Sequence, residues 1–260
     1  MAAPNQAVAT PTRRFSIDTL DVAVYPGRES LGRAAAADVV AELQTRLARG
    51  GRVRMIVASA PSQAELCAAL REAEVDWSRI ELYHMDEFIG LAPGASQRFA
   101  HWLEENLFGK VPAKHHIITP EPDPEAEATR YAGLLAQAPI DIVCLGIGVN
   151  GHIAFNDPPV ADFDDPADVR RVTMDAACRQ QQVDDGGFST FDEVPAHALT
   201  LTIPRLMRAD RLFCVVPGQQ KAEAVQHCLK GPITTMWPAS ILRRHPAATL
   251  YLDAMSARHV

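Results

Sequence analysis

Three segments of the sequence place an acid, a base and a cation directly after short apolar runs. Asp86 follows the first run, His152 lies in the segment 145–159, LGIGVNGHIAFNDPP, and Lys221 ends the segment PGQQK after a third run. A carboxylate and an imidazole can transfer protons, whereas a lysine near a helix N-terminus can bind an anion together with the free N–H groups. These residue types therefore indicate acid–base chemistry beside an anion-binding group.

The segment 145–159 also contains Gly146, Gly148 and Gly151 in the G-x-G-x-x-G spacing that binds dinucleotides. That function needs a helix after the third glycine, and Pro158 and Pro159 would break such a helix within two turns. The context therefore excludes a dinucleotide-binding loop. The glycines instead let the backbone turn tightly and approach a ligand closely.

His152 has polar neighbours in the sequence, chiefly Asn150, Asn156 and Asp157. An imidazole in a glycine-rich turn after a buried strand, with a carboxylate nearby to orient it, is a candidate general acid or base. The alternative is a histidine that simply lies on the surface. Asp86 also has two interpretations, because an acid at a strand end is often solvated or caps a turn, yet a general base is placed there too.

Hydroxyl groups precede one predicted helix and a cation begins another. Ser59 and Ser62 follow the run 53–58, and Ser62 with Glu65 has the S-x-x-E spacing of a capping box. The two serines could cap the helix, hold an anion at its N-terminus, or do both. Lys221 lies in the predicted first turn of a helix, where a cation opposes the helix dipole. Either a bound anion compensates this charge, or a surface lysine tolerates the small penalty.

Metal and disulfide chemistry are not indicated. A metal site made of His84, Asp86 and His152 has no H-x-x-x-H pair or thiolate spacing to support it, so none is expected. The cysteines are scattered without a C-x-x-C pair, which is typical of buried thiols in a reducing compartment. They are Cys67, Cys144, Cys178, Cys214 and Cys228.

The composition limits the class of protein. The chain has 260 residues, 47% of them hydrophobic, which suffices for one large α/β domain. Its net charge of −7 argues against nucleic acid as a partner. No segment has the apolar length of a signal peptide or a membrane helix. We therefore expect a cytoplasmic protein whose partner is a small molecule, with no membrane or nucleic-acid partner. The sequence permits a homo-oligomer without indicating one.

Apolar runs alternate with helical patterns, and this alternation predicts the frame that positions the polar residues. The predicted strands are 53–58, 80–84, 140–145, 198–203, 212–216 and 249–252. The predicted helices are 29–49, 63–74, 98–108, 124–136 and 219–230. This order is typical of an α/β fold with a mostly parallel sheet, in which ligands bind at the carboxyl ends of the strands. We expect a single domain over 14–260 after a flexible tail, 1–13.

Taken in order, the motifs resemble those of the glucosamine-6-phosphate deaminase family, part of the sugar-phosphate isomerase/deaminase group. The resemblance extends from about residue 53 to residue 253. It is carried by HMDEFIGL at 84–91, LGIGVNGHIAFNDP at 145–158, HALTL at 197–201, PGQQKA at 217–222 and the segment 237–246. It implies a Rossmann-like three-layer α/β/α fold. It also implies a reaction without a cofactor that converts glucosamine 6-phosphate to fructose 6-phosphate and ammonia.

The resemblance implies a role for each matched residue. His152 would assist the opening of the sugar ring, and Asp86 would move a proton between carbons 2 and 1 through an enediol-like intermediate. The residues that bind phosphate and the rest of the substrate would be Ser59, Ser62, Gly151 and Lys221.

Four positions depart from the family's usual pattern. The family has aspartate at the position of Asn150 and glutamate at that of Asp157, two acids that orient and charge the histidine. A neutral Asn150 should weaken this support, and the shorter Asp157 should reach less far. The hydroxyl loop reads SAPS, where the family has two glycines between threonines. Arg179 is the best match to the family's phosphate-binding arginine, although its flanking residues differ.

Two other functions stay open at this point. A 6-phosphogluconolactonase has a related fold and a similar Gly-His loop, but lactonases usually continue toward Ser-Leu-Phe where this chain has AFNDP. A sugar-phosphate sensor that kept the pocket and lost the chemistry would account for Asn150. The presence of Asp86, His152 and Lys221 together favours the enzyme, while the identity of the amino sugar is not fixed.

Overall fold

The computed structural model describes residues 10–260, which form two β-sheets and seven α-helices. The strands are β1 (Arg13–Ile17), β2 (Leu20–Tyr25), β3 (Val53–Val57), β4 (Ile80–His84), β5 (Asp86–Phe88), β6 (Lys114–His116), β7 (Ile142–Leu145), β8 (Val169–Thr173), β9 (His197–Leu201), β10 (Arg211–Val216) and β11 (Ala248–Asp253). The helices are α1 (Arg28–Ala48), α2 (Ala64–Arg71), α3 (Phe99–Asn106), α4 (Pro124–Leu135), α5 (Ala176–Asp184), α6 (Ile203–Met207) and α7 (Ala222–Lys230).

The larger sheet has eight strands in the order β1-β2-β11-β10-β7-β3-β4-β6. Every neighbouring pair in it is parallel except the edge hairpin of β1 and β2. The carboxyl ends of seven strands therefore lie at one edge of the sheet. The expected mostly parallel sheet is confirmed.

Side chains of the central strands alternate between two cores, one on each face of the sheet. In β3, Ile56 packs into one core, whereas Met55 and Val57 pack into the other. The core of Met55 also contains the apolar faces of α1, α2 and α3, and that of Ile56 contains those of α4, α6 and α7. Period-2 alternation with both faces covered is what a buried parallel strand requires. The Rossmann-like three-layer α/β/α arrangement is thus confirmed.

Helix α1 illustrates how the sequence determines a local element. Its buried residues include Leu31, Ala35, Val39 and Leu43 at i, i+4 spacing, which places them on one face. After the helix, two consecutive glycines at 50 and 51 adopt φ values of +89° and +90°, a conformation that other residues rarely take. The predicted helix 29–49 is displaced by one residue from the observed one.

The predicted strand 198–203 exists as β9, but it does not lie in the parallel sheet. It pairs antiparallel with β5 and β8 in a separate three-stranded sheet. Its apolar run is continuous because both of its faces are covered. Leu199 packs into the core of Ile56, and Ala198 packs into a third cluster that contains Phe88 and Phe155.

Several elements carry no clear signal in the sequence. Strands β1, β2, β5, β6 and β8 and helices α5 and α6 were not predicted. The predicted tail 1–13 lies mostly outside the described residues, because these begin at residue 10. Where the two overlap, the N–H of Thr12 donates to the carbonyl of Val24 at 2.7 Å and Arg13 begins β1. Within residues 10–260, no helix is both long and apolar enough to cross a membrane.

Candidate active site

A pocket opens where the carboxyl ends of β3, β4, β7 and β10 meet. The segments that follow these strands form most of its wall, and α5 with its C-terminal cap and Phe99 of α3 form the rest. Five of the residues predicted from the sequence line this pocket: Ser59, Ser62, Asp86, His152 and Lys221. The fold therefore brings an acid, an imidazole, an ammonium group and two hydroxyls together from four separate segments.

Asp86 is the buried acid of the pocket. It begins β5, and its backbone pairs with Thr200 of β9. Its side chain is 6% exposed and makes no hydrogen bond or ion pair with any residue in 10–260. Burial, followed by the negative charges of Glu87 and Asp157, raises the pKa of Asp86 well above the ordinary value for an aspartate. A carboxyl group with a raised pKa and no fixed partner is suited to exchange protons with a ligand.

The neighbouring acid, Glu87, has a structural role. Its fully buried carboxylate accepts hydrogen bonds from the N–H groups of Phe99, at 3.1 Å, and Ala100, at 3.0 Å. These two residues begin α3, so Glu87 satisfies N–H groups that the helix itself leaves free. Of the two adjacent acids, only Asp86 lines the pocket.

The loop after β7 turns back without forming a helix, as the two prolines predicted. Gly151 has a φ of +81°, and Ile153 pairs with Asn156 in an isolated β-bridge. A Cβ atom on Gly151 would lie 2.8 Å from Cε3 of Trp237. The structure thus places Gly151 in a turn packed against Trp237, outside the residues that line the pocket, and its contact with the substrate stays a prediction.

Asn150 and Asp157 hold the imidazole of His152 from behind. Nδ1 of His152 lies 2.8 Å from Oδ1 of Asn150 and 3.0 Å from Oδ1 of Asp157. The expectation that Asp157 would reach less far is therefore wrong. Because both neighbours of Nδ1 are acceptors, Nδ1 carries a proton and donates it. This tautomer leaves Nε2 as the basic nitrogen, and Nε2 has no partner within residues 10–260.

The orientation of the Asn150 amide follows from its neighbours. Its Nδ2 lies 3.1 Å from Oδ1 of Asp157 and 3.2 Å from Oδ2 of Asp175. Carboxylates only accept hydrogen bonds, so the NH₂ group faces them and the carbonyl oxygen faces His152. Asn150 therefore contacts His152 through its carbonyl oxygen, although it replaces the aspartate expected at this position from the sequence resemblance.

Asp157 is the ionised member of this group. Its carboxylate is fully buried and also accepts the N–H of Asp175 at 2.9 Å. Burial by itself raises the pKa of Asp157, but the hydrogen bond and charge of His152, with the donors of Asp175 and Asn150, outweigh burial and hold the pKa below its ordinary value. A negative charge is thereby maintained behind the imidazole.

The other end of the pocket has unpaired donors. Lys221 is 4% exposed and precedes α7, and its ammonium group has no hydrogen bond or ion pair within residues 10–260. Burial lowers the pKa of Lys221 to about 8, although the negative charge of Asp185 opposes this shift. Oγ of Ser59 is also buried without a partner. Buried donors left unpaired beside a helix N-terminus provide a site for an anion.

Ser62 and Glu65 do not form the predicted capping box. Ser62 lies in a 3-10 turn, Pro61–Gln63, that precedes α2, and its hydroxyl accepts a hydrogen bond from Nε2 of Gln63 at 3.2 Å. The carboxylate of Glu65 pairs with the guanidinium of Arg28 instead. Ser62 is consequently free of the helix cap and lines the pocket.

Arg179 does not reach the pocket. Its guanidinium donates to the carbonyls of Val194, at 2.7 Å and 3.2 Å, and Phe191, at 2.9 Å, and it stacks over the Phe191 ring at 4.1 Å from the centroid. The predicted phosphate contact of Arg179 is therefore not supported by the structure. The group instead ties α5 to the 3-10 turn Phe191–Glu193.

His84 is not part of the pocket either. Its Nε2 accepts the N–H of Ile118 at 2.6 Å, and burial, followed by the charge of Arg98, lowers the pKa of His84 to about 3. Among residues 10–260, the group of three or more histidine, cysteine and carboxylate residues whose ligand atoms all lie within 4.8 Å of one another consists of His152, Asp157 and Cys178. The His152 and Asp157 atoms of this group already hydrogen-bond each other and Asn150.

Sequence reasoning missed the pocket residues that α5 supplies. Gln181, Gln182 and Asp185 line the pocket, and Oε1 of Gln181 accepts the N–H of Val149 at 3.0 Å, which fixes the histidine loop to α5. The segment 176–185 has few apolar residues, so its helix gave no periodic signal. The run of three glutamines, 180–182, was the available sign of a polar surface.

Comparison with known proteins agrees with this architecture. A family model described as "Glucosamine-6-phosphate isomerases/6-phosphogluconolactonase" matches residues 26–251. The chain belongs to this family of α/β proteins.

Individual relatives make the relationship more specific. The chain is similar to a glucosamine-6-phosphate deaminase of Exiguobacterium sp., with 37% identity over 189 residues, 72% of each chain. It is also similar to a glucosamine-6-phosphate deaminase of Lactobacillus delbrueckii subsp. bulgaricus, with 33% identity over 205 residues, 77% of this chain and 85% of the relative.

Solved structures reproduce the fold. A monomeric glucosamine-6-phosphate deaminase of the NagB superfamily superposes with a TM-score of 0.85 at 27% identity, covering 92% of this chain and 99% of that one. A 6-phosphogluconolactonase from Thermotoga maritima superposes with a TM-score of 0.74 at 16% identity, covering 90% and 99%. At that identity the second likeness is one of fold alone.

Proposed function

We propose that the protein converts glucosamine 6-phosphate and water to fructose 6-phosphate and ammonia. One observation carries the proposal: several polar groups without a protein partner in residues 10–260 lie in side chains that line a single pocket. They include the Asp86 carboxyl, His152 Nε2, Ser59 Oγ, Gln63 Oε1 and Lys221 Nζ. Buried polar groups are costly when unpaired, so such a set points to a ligand that pairs them all. The family and the named relatives support the same reaction.

The phosphate of the substrate would bind at Lys221 and Ser59. The ammonium group supplies charge, and the serine hydroxyl and the start of α7 supply neutral donors. This anchor leaves the other end of the sugar, with carbons 1 and 2, facing Asp86 and His152. Fixing the phosphate thus orients the reacting carbons, and orientation is itself a large part of catalysis.

His152 would open the sugar ring. Its unprotonated Nε2 takes the proton from the hydroxyl on carbon 1 and returns a proton to the ring oxygen, which yields the open-chain aldehyde. The positive charge that the imidazole carries between these two steps is stabilised by Asp157, which hydrogen-bonds Nδ1. The tautomer imposed by Asn150 and Asp157 is therefore the one that the step requires.

Asp86 would carry the proton from carbon 2 to carbon 1. Its carboxylate removes the proton of carbon 2, and a proton of the substrate ammonium group passes to the oxygen on carbon 1, so that an enol forms. Protonated Asp86 then returns its proton to carbon 1 and leaves an iminium group at carbon 2. Water adds to the iminium carbon and ammonia departs, which gives the ketone. Burial favours the protonated form of Asp86 that the return step needs.

The proposal is tested by incubating the purified protein with glucosamine 6-phosphate and measuring ammonia and fructose 6-phosphate. We expect equal amounts of both products, and loss of turnover in Asp86→Asn. Absence of turnover by the unaltered protein would reject the assignment. Hydrolysis of 6-phosphogluconolactone without ammonia from the amino sugar would identify a lactonase instead. Binding of sugar phosphates in a thermal-shift assay, with none consumed, would identify a sensor.

A further inference from the structure

A closed ring of hydrogen bonds joins four residues behind the pocket. Nδ1 of His152 contacts Asn150 and Asp157, Nδ2 of Asn150 contacts Asp175, and the backbone N–H of Asp175 donates to Oδ2 of Asp157 at 2.9 Å. Asp175 is the member that neither the motifs nor the resemblance pointed to. It lies one residue before α5 and belongs to a different segment from the other three.

The position of Asp175 is fixed independently of the ring. Its Oδ2 accepts the N–H of Ala177 at 3.2 Å, which makes Asp175 the N-cap of α5, and its N–H is held by Asp157. A side chain anchored at both its backbone and its carboxylate is a rigid partner for Asn150.

Asp175 also determines which way the Asn150 amide faces. In the observed orientation Nδ2 has carboxylates on two sides, Asp157 at 3.1 Å and Asp175 at 3.2 Å. Flipping the amide would turn its oxygen toward both carboxylates and its NH₂ toward the N–H of the imidazole, so every contact would become repulsive. With Asp175 neutralised or removed, one of the two carboxylates that oppose the flip is lost.

We propose that Asp175 is a positioning residue for His152, and that it supplies through the neutral amide of Asn150 the support that an acid at position 150 would give directly. The negative charge of Asp175 polarises the amide, and the amide oxygen presents the resulting negative end to Nδ1 of His152. If Asp175 supplies this support, the absence of an acid at position 150 no longer argues by itself for a sensor. The inference rests on the proposed function only in taking His152 as catalytic. The hydrogen bonds themselves do not depend on that function.

The test compares Asp175→Ser with the unaltered protein. Serine also caps helices, so α5 keeps its N-cap, but its hydroxyl is too short to reach Asn150. We expect kcat for glucosamine 6-phosphate to fall about tenfold with KM changed less than about twofold, since the lost contact orients a group that acts in the transition state. Asp192→Ser, which removes an exposed acid, is the matched control and should change neither value.

A second background separates positioning from folding. In Asn150→Asp, one carboxylate oxygen contacts His152 directly and the other faces Asp157 and Asp175. Adding Asp175→Ser should therefore cost no further activity, because it removes no support of His152 and relieves a like-charge contact. An equal loss in both backgrounds, or no loss in the single variant, would overturn the proposal.

An NMR measurement of the His152 ring nitrogens keeps the inference distinct from the reaction. The unaltered protein should show the proton on Nδ1, and Asp175→Ser should show a larger share of the Nε2 tautomer, because Asp157 alone then opposes the flip of the Asn150 amide. This readout needs no turnover, so it still decides the role of Asp175 if the protein proves inactive on glucosamine 6-phosphate. An unchanged tautomer in Asp175→Ser would count against the inference.

Discussion

The imidazole of His152 rests directly on the backbone of Gly148. A Cβ atom at Gly148 would lie 2.1 Å from Cε1 of the ring and 2.3 Å from each of its nitrogens. The N–H of Gly148 also donates to the carbonyl of His152 at 2.9 Å. The middle glycine of the G-x-G-x-x-G pattern therefore leaves room for the imidazole, and its presence does not require a dinucleotide ligand.

Gly148→Ala should displace the ring of His152 and disable the pocket. A misplacement of about 1 Å can reduce the rate about 100-fold, so we expect kcat to fall by at least that factor, together with a lower melting temperature. Gly133→Ala is the matched control, because Gly133 lies within α4 with open space around its Cβ position. It should leave kcat unchanged and stabilise the protein by about 0.5–1 kcal/mol. Full activity in Gly148→Ala would contradict the packing of ring on backbone.

Asp86→Asn should greatly slow turnover without destabilising the fold. Loss of an acid–base group costs about 10²–10⁴-fold in rate, which steady-state kinetics would measure. The folded-state pKa of Asp86 is raised above the ordinary value of 3.8, so this residue contributes stability at low pH and loses it as pH rises through the raised value.

The stability gained by Asp86→Asn, relative to the unaltered protein, should accordingly increase with pH. Its melting temperature should exceed that of the unaltered protein at pH 8, and the difference should shrink toward pH 4. Asp192→Asn, at an exposed position, should show no such trend. A variant at position 86 that melts lower at pH 8 would show that the carboxylate is held by partners after all.

Phosphate affinity should weaken as pH rises through about 8. Lys221 is the buried cation of the pocket, and its pKa is lowered to about 8, so it is charged below that pH and neutral above it. The phosphate group is already dianionic there, because its second pKa is about 6. Calorimetry with fructose 6-phosphate should show Kd rising about tenfold per pH unit above 8.

Two variants of Lys221 separate charge from shape. Lys221→Arg keeps a positive charge at every accessible pH and should bind with little change between pH 8 and 9. Lys221→Met should bind weakly throughout, with no pH trend in this range. The same slope in Lys221→Met as in the unaltered protein would assign the titration to another group.

Arg179→Met should lower stability but not phosphate affinity. The substitution leaves the carbonyls of Phe191 and Val194 without their donor, which costs about 1–3 kcal/mol. The KM for glucosamine 6-phosphate should stay within about twofold of the original, in contrast to Lys221→Met. A large increase in KM at an unchanged melting temperature would instead indicate that Arg179 contacts the phosphate.

The parts of the fold that could be predicted are those with strong periodicity. The strand 80–84 and the helix over 29–49 have apolar patterns whose period matches their burial, so the sequence located them within one residue. Strand β9 was located but assigned to the wrong sheet. A run of buried apolar residues does not tell whether its hydrogen-bond partners are parallel or antiparallel, since those partners lie elsewhere in the chain.

The candidate site divides in a similar way. Asp86, His152 and Lys221 could be predicted because each follows a recognisable strand whose carboxyl end must lie at the ligand edge. Arg179 was misplaced because sequence position in a helix does not determine where a long flexible side chain finds its acceptors. Asp175 could not be foreseen, since its contact with Asn150 depends on how β8 and α5 fold back over the histidine loop.

The chain passes from the large sheet to the small one at a single residue, Met85, between β4 and β5. Main-chain hydrogen bonds thus fix the backbone at Asp86. β4 ends two residues before it, and its own strand pairs with β9. The carbonyl of Met85 also accepts the N–H of Leu201 at 2.8 Å. A carboxylate that transfers protons must be held in position and must also keep its lone pairs free. Hydrogen-bond donors that immobilised it would occupy those lone pairs. Here the backbone provides the immobility, and the carboxylate stays unengaged until a ligand arrives. Substitutions in β9 should therefore shift the position from which Asp86 transfers its proton, without changing the pKa of Asp86.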